Sequence, residues 1–151
     1  MYEFHSFIHS PSVIVYTSIV LFSSILFAEN NECQSGQPEV FFVSPENGYV
    51  SDTSEIKLVF GIKNFNIAPA GIDGCDSGHH HLIIDAELPN LDRPIPSSKN
   101  YIHFGKGQTE TTIKLLPGKH SLQLLLGNYA HIPHKDPIIS EKINIEILSS
   151  Q

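Results

Sequence analysis

A chain of 151 residues with a formal charge of −7 and 40% apolar residues can bury one sizeable core and is too short for two. Its 9 Lys and Arg residues are scattered singly, with no basic stripe able to follow a phosphate backbone, so nucleic acid is excluded as an expected partner.

The start of the chain is unlike the rest. From Val13 to Ala28 the run VIVYTSIVLFSSILFA carries no charge and ends on a small residue before ENNE. This is the length and flank of a secretory h-region, slightly short of the about 20 residues of a membrane span. Residues 1–28 therefore read as a signal peptide. The lack of Lys or Arg before the run, and the bulky Leu26 near its end, leave a retained N-terminal anchor as the alternative. Either way the remainder is expected to be periplasmic or secreted, touching a membrane only through residues 13–28 if these are not cleaved. Removing residues 1–28 takes away Glu3 and no Lys or Arg, which moves the formal charge from −7 to −6. Cys33 and Cys75 are the only cysteines, and in an oxidising compartment they most simply form one disulfide. No lipobox-like apolar residues precede Cys33, which argues against a lipid anchor.

Residues 29–38, ENNECQSGQP, read as a flexible leader, and residues 39–148 as the folded domain. EVFFV (39–43) is a short apolar strand stopped by the turn cluster SPENG. In EIKLVFGI (55–62), Ile56, Leu58 and Phe60 point one way while Glu55, Lys57 and Val59 point the other, the period-two signature of a half-buried strand. NIAPAGIDGCDSG is a loop, and a strand over 79–88 follows it. LPNLDRPIPSSKN contains Pro89, Pro94 and Pro96, which cannot donate to a ladder, so it is an extended connection. Two alternating runs in ETTIKLLPGKHSLQLLLGN (110–128) flank Pro117 and Gly118 and predict a hairpin with a type II turn. EKINIEI (141–147) closes the domain with Ile143, Ile145 and Ile147 on one face. Short strands, Pro- and Gly-rich turns and no helical period predict an all-β fold, a single immunoglobulin-like antiparallel β-sandwich.

GHHHLIIDAEL puts three consecutive histidines at the mouth of a strand. By alternation His80 shares the core parity of Leu82, Ile84, Ala86 and Leu88, whereas His79, His81, Asp85 and Glu87 take the opposite face. Residues two apart on one face lie roughly 7 Å apart at Cα, close enough for two imidazoles to converge on one ion. His103 opens HFGKGQTE, where Gly105 and Gly107 permit a tight turn; His131 and His134 stand in HIPHKD, held by Pro133; His120 opens the second strand of the expected hairpin. Neutral imidazole suits zinc or copper. The candidate ligands are therefore His79 and His81, then His103, with His134 and His131 completing the set and Asp85 orienting an imidazole from behind. His80 and Cys75 are the less favoured candidates. No spacing here matches HExxH or a zinc-finger pattern, and histidines at a strand mouth also occur simply hydrogen-bonded to loop carbonyls.

Other chemistries fare worse. There is no GxSxG elbow, P-loop or GxGxxG, and no nucleophile–base pair is legible, so no catalytic residue is assigned. A mature terminus near Glu29 has no histidine among its first residues, which argues against copper held by the terminal amine.

FFVSPENG, KLVFGIKNFNIAPAGID, GHHHLIID, LPNLDRPIP, HFGKGQTETTIKLLPGKHSLQLLLGN and HIPHKDPIISEKI, taken together and in this order, resemble the successive blocks of domain-of-unknown-function family 4399. The resemblance spans about residues 40–148 and implies a small exported bacterial protein with no established activity. It departs from the usual pattern at Cys75, which speaks against a thiol as a general family feature. His79, His80, His81, His103, His131 and His134 fall on motif positions. The resulting expectation is a non-enzymatic exported sandwich that binds copper or zinc through a histidine cluster. The alternative is an interaction module whose loops at the same end hold a cell-envelope protein or glycan.

Overall fold

The computed structural model describes Met1 and residues 36–149. Residues 2–28 of the signal or anchor segment and leader residues 29–35, Cys33 among them, lie outside the described residues.

Nine strands and no helix occur among the described residues: β1 (Glu39–Ser44), β2 (Val50–Ser51), β3 (Glu55–Lys63), β4 (Asn66–Ile67), β5 (Ser77–Ile84), β6 (Tyr101–His103), β7 (Glu110–Lys114), β8 (Gly118–Gly127) and β9 (Ile143–Ile147). They form two sheets. One has three strands in the order β1-β3-β7; the other has the order β2-β9-β8-β5-β4, with β6 also paired to β5. This partition matches strands A, B and E against C, F and G in an immunoglobulin-like sandwich. The expected fold class holds.

Alternation sets which faces meet. Ile56, Leu58 and Phe60 of β3 are buried while Glu55 and Lys57 are exposed. They pack with Leu82 and Ile84 of β5, Leu122, Leu124 and Leu126 of β8, and Ile143, Ile145 and Ile147 of β9 in one apolar cluster. Each such side chain, fully buried, contributes about 1.5–3 kcal/mol.

The hairpin expected over 110–128 does not form. β7 pairs with β3, whereas β8 pairs with β5 and β9, so the intervening segment carries the chain from one sheet to the other. Alternation reports the buried face of a strand but not its neighbour, and two strands joined by a turn-like segment are free to separate into facing sheets. Gly118 has the positive φ that was expected of it, 135°, but uses it to enter β8 rather than to close a two-strand turn.

The strand expected over 79–88 ends at Ile84, where Asp85 adopts a φ of 51°. Every residue of β5 is buried, so it is covered on both faces. On the face away from the main core, Ile83, Leu125 and Ile95 form a second apolar cluster flanked by Leu91, Tyr101 and Ile139. The Pro-rich connection of residues 89–100 is thus a cover over the outer face of β5. That outer face carries His79 and His81.

Candidate metal centre

β5 and β6 run antiparallel with His81 directly opposite His103, and cross-strand partners share a face. His79 lies two residues before His81, on the same face. His131 comes from the loop after β8, which folds back through a bridge between Gly127 and Pro133. The Asn128 side chain holds this loop by accepting from the backbone N–H groups of Ala130 at 2.9 Å and Ile132 at 3.1 Å. His131 itself sits at a φ of 65°. Its N–H donates to the Asn128 carbonyl at 2.9 Å, and its carbonyl accepts from Ile95 N–H at 2.8 Å.

Four imidazoles meet as a result. Ring centroids are 4.8 Å apart for His79 and His81, 4.9 Å for His79 and His103, 5.0 Å for His79 and His131, and 4.5 Å for His103 and His131. One ligand nitrogen from each of His79, His81 and His103 lies within 4.8 Å of the others. Tetrahedral zinc with bonds near 2 Å needs about 3.3 Å between ligand atoms. Holding an ion would draw the three nitrogens closer together than they stand here.

Both ring nitrogens of His79, both of His81 and Nε2 of His103 are buried with no hydrogen-bond partner among the described residues. Leaving such a group unsatisfied costs about 1–3 kcal/mol. Burial, joined by the charges of His103, His131, His80 and His134, pushes His79 down to about 4. Burial, then His79, His103 and His131, pushes His81 down to about 3. Burial and His131 lower His103 as well. All three rings are therefore neutral at pH 7, the form that offers a lone pair to a metal.

The other candidates stand apart from this group. His80 faces the main core, as its parity predicts, with its ring 5.0 Å from that of Phe60 and Nδ1 3.2 Å from the Gln108 carbonyl, to which it donates. His134 packs edge-on against Phe65 at 4.9 Å, outside the four-ring group, although its Nε2 is also buried without a partner. Cys75 is in the exposed loop before β5 and is not a free thiol.

Asp85 is not brought to the cluster. Its carboxylate accepts from His120 Nδ1 at 2.6 Å and from Ser121 N–H at 2.7 Å. The expected orienting role fails because β5 has ended: the left-handed turn at Asp85 breaks the alternation on which that expectation rested. His120 also donates through Nε2 to the Leu116 carbonyl at 2.8 Å. Burial opposes its charge, but the bonds to Asp85 and Leu116 and the carboxylate's charge prevail, and its pKa is raised. Two acceptors on one ring require the imidazolium.

Glycines make room for the cluster, a role the sequence reading did not assign. A Cβ on Gly105 would lie 2.3 Å from His103 Cε1, and one on Gly127 would lie 2.7 Å from His81 Cε1 and 3.3 Å from His131 Cα. A Cβ on Gly78 would lie 2.5 Å from the Gly127 carbonyl oxygen and 3.0 Å from His134 Nε2. Glycine inside a strand pattern marks close approach, and Gly127 carried that signal in the sequence. Gly78 fell in the segment read as a loop, which the structure corrects by starting β5 at Ser77. Gly107, with a φ of 75°, is the glycine that turns the chain after β6.

Residues 58–148 match the family described as a domain of unknown function (DUF4399). Among solved structures, the chain is similar to the fibronectin(III)-like modules of Clostridium thermocellum CbhA, at 13% identity and a TM-score of 0.38, covering 74% of this chain and 99% of that one. No curated protein matches.

Proposed function

The chain belongs to the DUF4399 family, a description that assigns no activity, and we propose that it is an exported, non-enzymatic β-sandwich that binds one transition-metal ion, copper or zinc, through His79, His81, His103 and His131. The observation carrying this reading is the group of five buried imidazole nitrogens, unpartnered among the described residues, on three rings that face one another and are neutral at pH 7. A coordinated cation supplies what these groups lack, and three or four imidazoles make a workable site. His134 is the reserve ligand.

Export rests on the uncharged run from Val13 to Ala28 before a polar leader, and fits a periplasmic or secreted location, or a membrane-anchored one if the run is retained. The same compartment favours a Cys33–Cys75 disulfide, which would tie the leader to the loop before β5. A two-hydrogen mass difference on reduction of the purified chain tests it.

Titration of the metal-depleted chain with zinc and with copper tests the main reading by calorimetry. One ion bound per chain, with thermal stabilisation that vanishes in the His79→Ala/His81→Ala double variant, supports it. Affinity weaker than about 100 µM for both ions overturns it.

A further inference from the structure

Resting on that reading, we infer that the ion selected by the cluster is monovalent copper, Cu(I), in preference to Zn(II). The donor set contains no anionic side chain. His79, His81, His103 and His131 bring no negative charge, and the two side chains that might have done so are engaged elsewhere. Asp85 is held by His120 and Ser121, and Cys75 is exposed before β5 and is not a free thiol. Among the described residues the group that could hold an ion is His79, His81 and His103, with no carboxylate in it; the acidic Asp76 acts instead on His134.

Two of the four rings are enclosed. His79 is 0% and His81 1% exposed, and Ile83, next but one to His81 on the same face, begins the apolar cluster completed by Ile95 and Leu125. Taking an ion out of water costs free energy that rises with the square of its charge, so a divalent ion loses roughly four times what a monovalent one does. Buried zinc sites commonly offset that loss with thiolate or carboxylate ligands. Among the described residues no anionic side chain joins the group to offset it. Cu(I) accepts imidazole nitrogen, tolerates a low coordination number and brings a single charge, which fits two enclosed rings with a third at the exposed lip and a fourth on a loop.

The test uses the full chain, stripped of metal, titrated without oxygen at pH 7 with Cu(I) and separately with Zn(II), each against a colorimetric chelator of known affinity. The expected result is one Cu(I) per chain, bound at least 100-fold more tightly than Zn(II), with only nitrogen neighbours in the X-ray absorption spectrum of the copper. His103→Ala, at the exposed lip of the cluster, is expected to weaken Cu(I) binding at least tenfold while the chain stays folded. A preference below 100-fold, sulfur neighbours on the copper, or unchanged affinity in His103→Ala overturns the inference. If Zn(II) binds and Cu(I) does not, the metal-binding reading stands and only the choice of ion falls. If neither ion binds, both fall.

Discussion

His103 stands directly across from His81 in the β5–β6 pairing, and the two rings stack with centroids 5.0 Å apart and 28° between their planes. The sheet itself thus fixes the pair, because the register that aligns Leu82 with Ile102 also aligns these two rings. A one-residue slip would turn His103 to the other face. His131, by contrast, depends on a loop. Replacing His131 with Ala is therefore expected to weaken metal binding less than replacing His81, by about tenfold against about a hundredfold, and to speed metal release. Competition titrations and chelator-chase kinetics of the two variants read both quantities.

Gly105 and Gly127 separate space from stability. A Cβ at either position overlaps an imidazole, but His103 is partly exposed and can swing outward whereas His81 is enclosed. Gly105→Ala is expected to keep its melting temperature within a few degrees and lose at least tenfold in metal affinity. Gly127→Ala is expected to lose about 1–3 kcal/mol of stability, as overpacked sites do. Urea unfolding of the metal-free variants, beside metal titration of each, distinguishes the two outcomes.

Much of this arrangement was legible in the chain, and the remainder was hidden for identifiable reasons. Period-two alternation separated His80 from His79 and His81 and put Ile143, Ile145 and Ile147 on one face, since a strand's parity is a local property. Pairing is not local. Nothing within residues 110–128 reveals that β7 belongs with β3 and β8 with β5, because that choice is made by distant strands. The cover over the outer face of β5 was not read: Ile83, apolar between His81 and Asp85, needs a partner, and Ile95 of the Pro-rich connection supplies it. Asp85 was misread because counting parity beyond Ile84 assumes a strand that the backbone has already left.

Asp85 accordingly gives a control for the metal site. Asp85→Asn leaves the cluster untouched and is expected to keep metal affinity within about twofold. The substitution removes the charged partner of His120, which holds the end of β5 to the start of β8, at a cost on the order of 1 kcal/mol for this partly exposed pair. The His120 titration, followed by NMR, should fall from its raised value toward the ordinary one. A large loss of metal affinity would restore Asp85 to an orienting role and contradict the geometry described above.

The acid side of the stability profile follows from the buried histidines. His79, His80 and His81 are lowered to about 4, 4 and 3 in the folded metal-free chain, against about 6.5 when unfolded. Below pH 6.5 the unfolded chain therefore binds protons that the folded chain does not, and stability falls with pH, by about 1.4 kcal/mol per unit for each such group. The loss begins near pH 6.5 and continues until the folded groups themselves protonate, between about 4 and 3. His120, whose pKa is raised, has the opposite sign: its contribution is complete below the unfolded value and fades as pH rises through the folded one, so it does not offset the acid loss. His80 isolates one of these groups without touching the proposed ligands. It packs in the main core against Phe60, and the carbonyl it bonds belongs to exposed Gln108, which solvent can serve instead. His80→Leu is expected to be near neutral in stability at pH 7.5 and to flatten the decline between pH 6.5 and 4 by about one group's share. Urea unfolding of the metal-free chain at closely spaced pH values measures that slope; an unchanged slope in the variant would mean that His80 is charged in the fold.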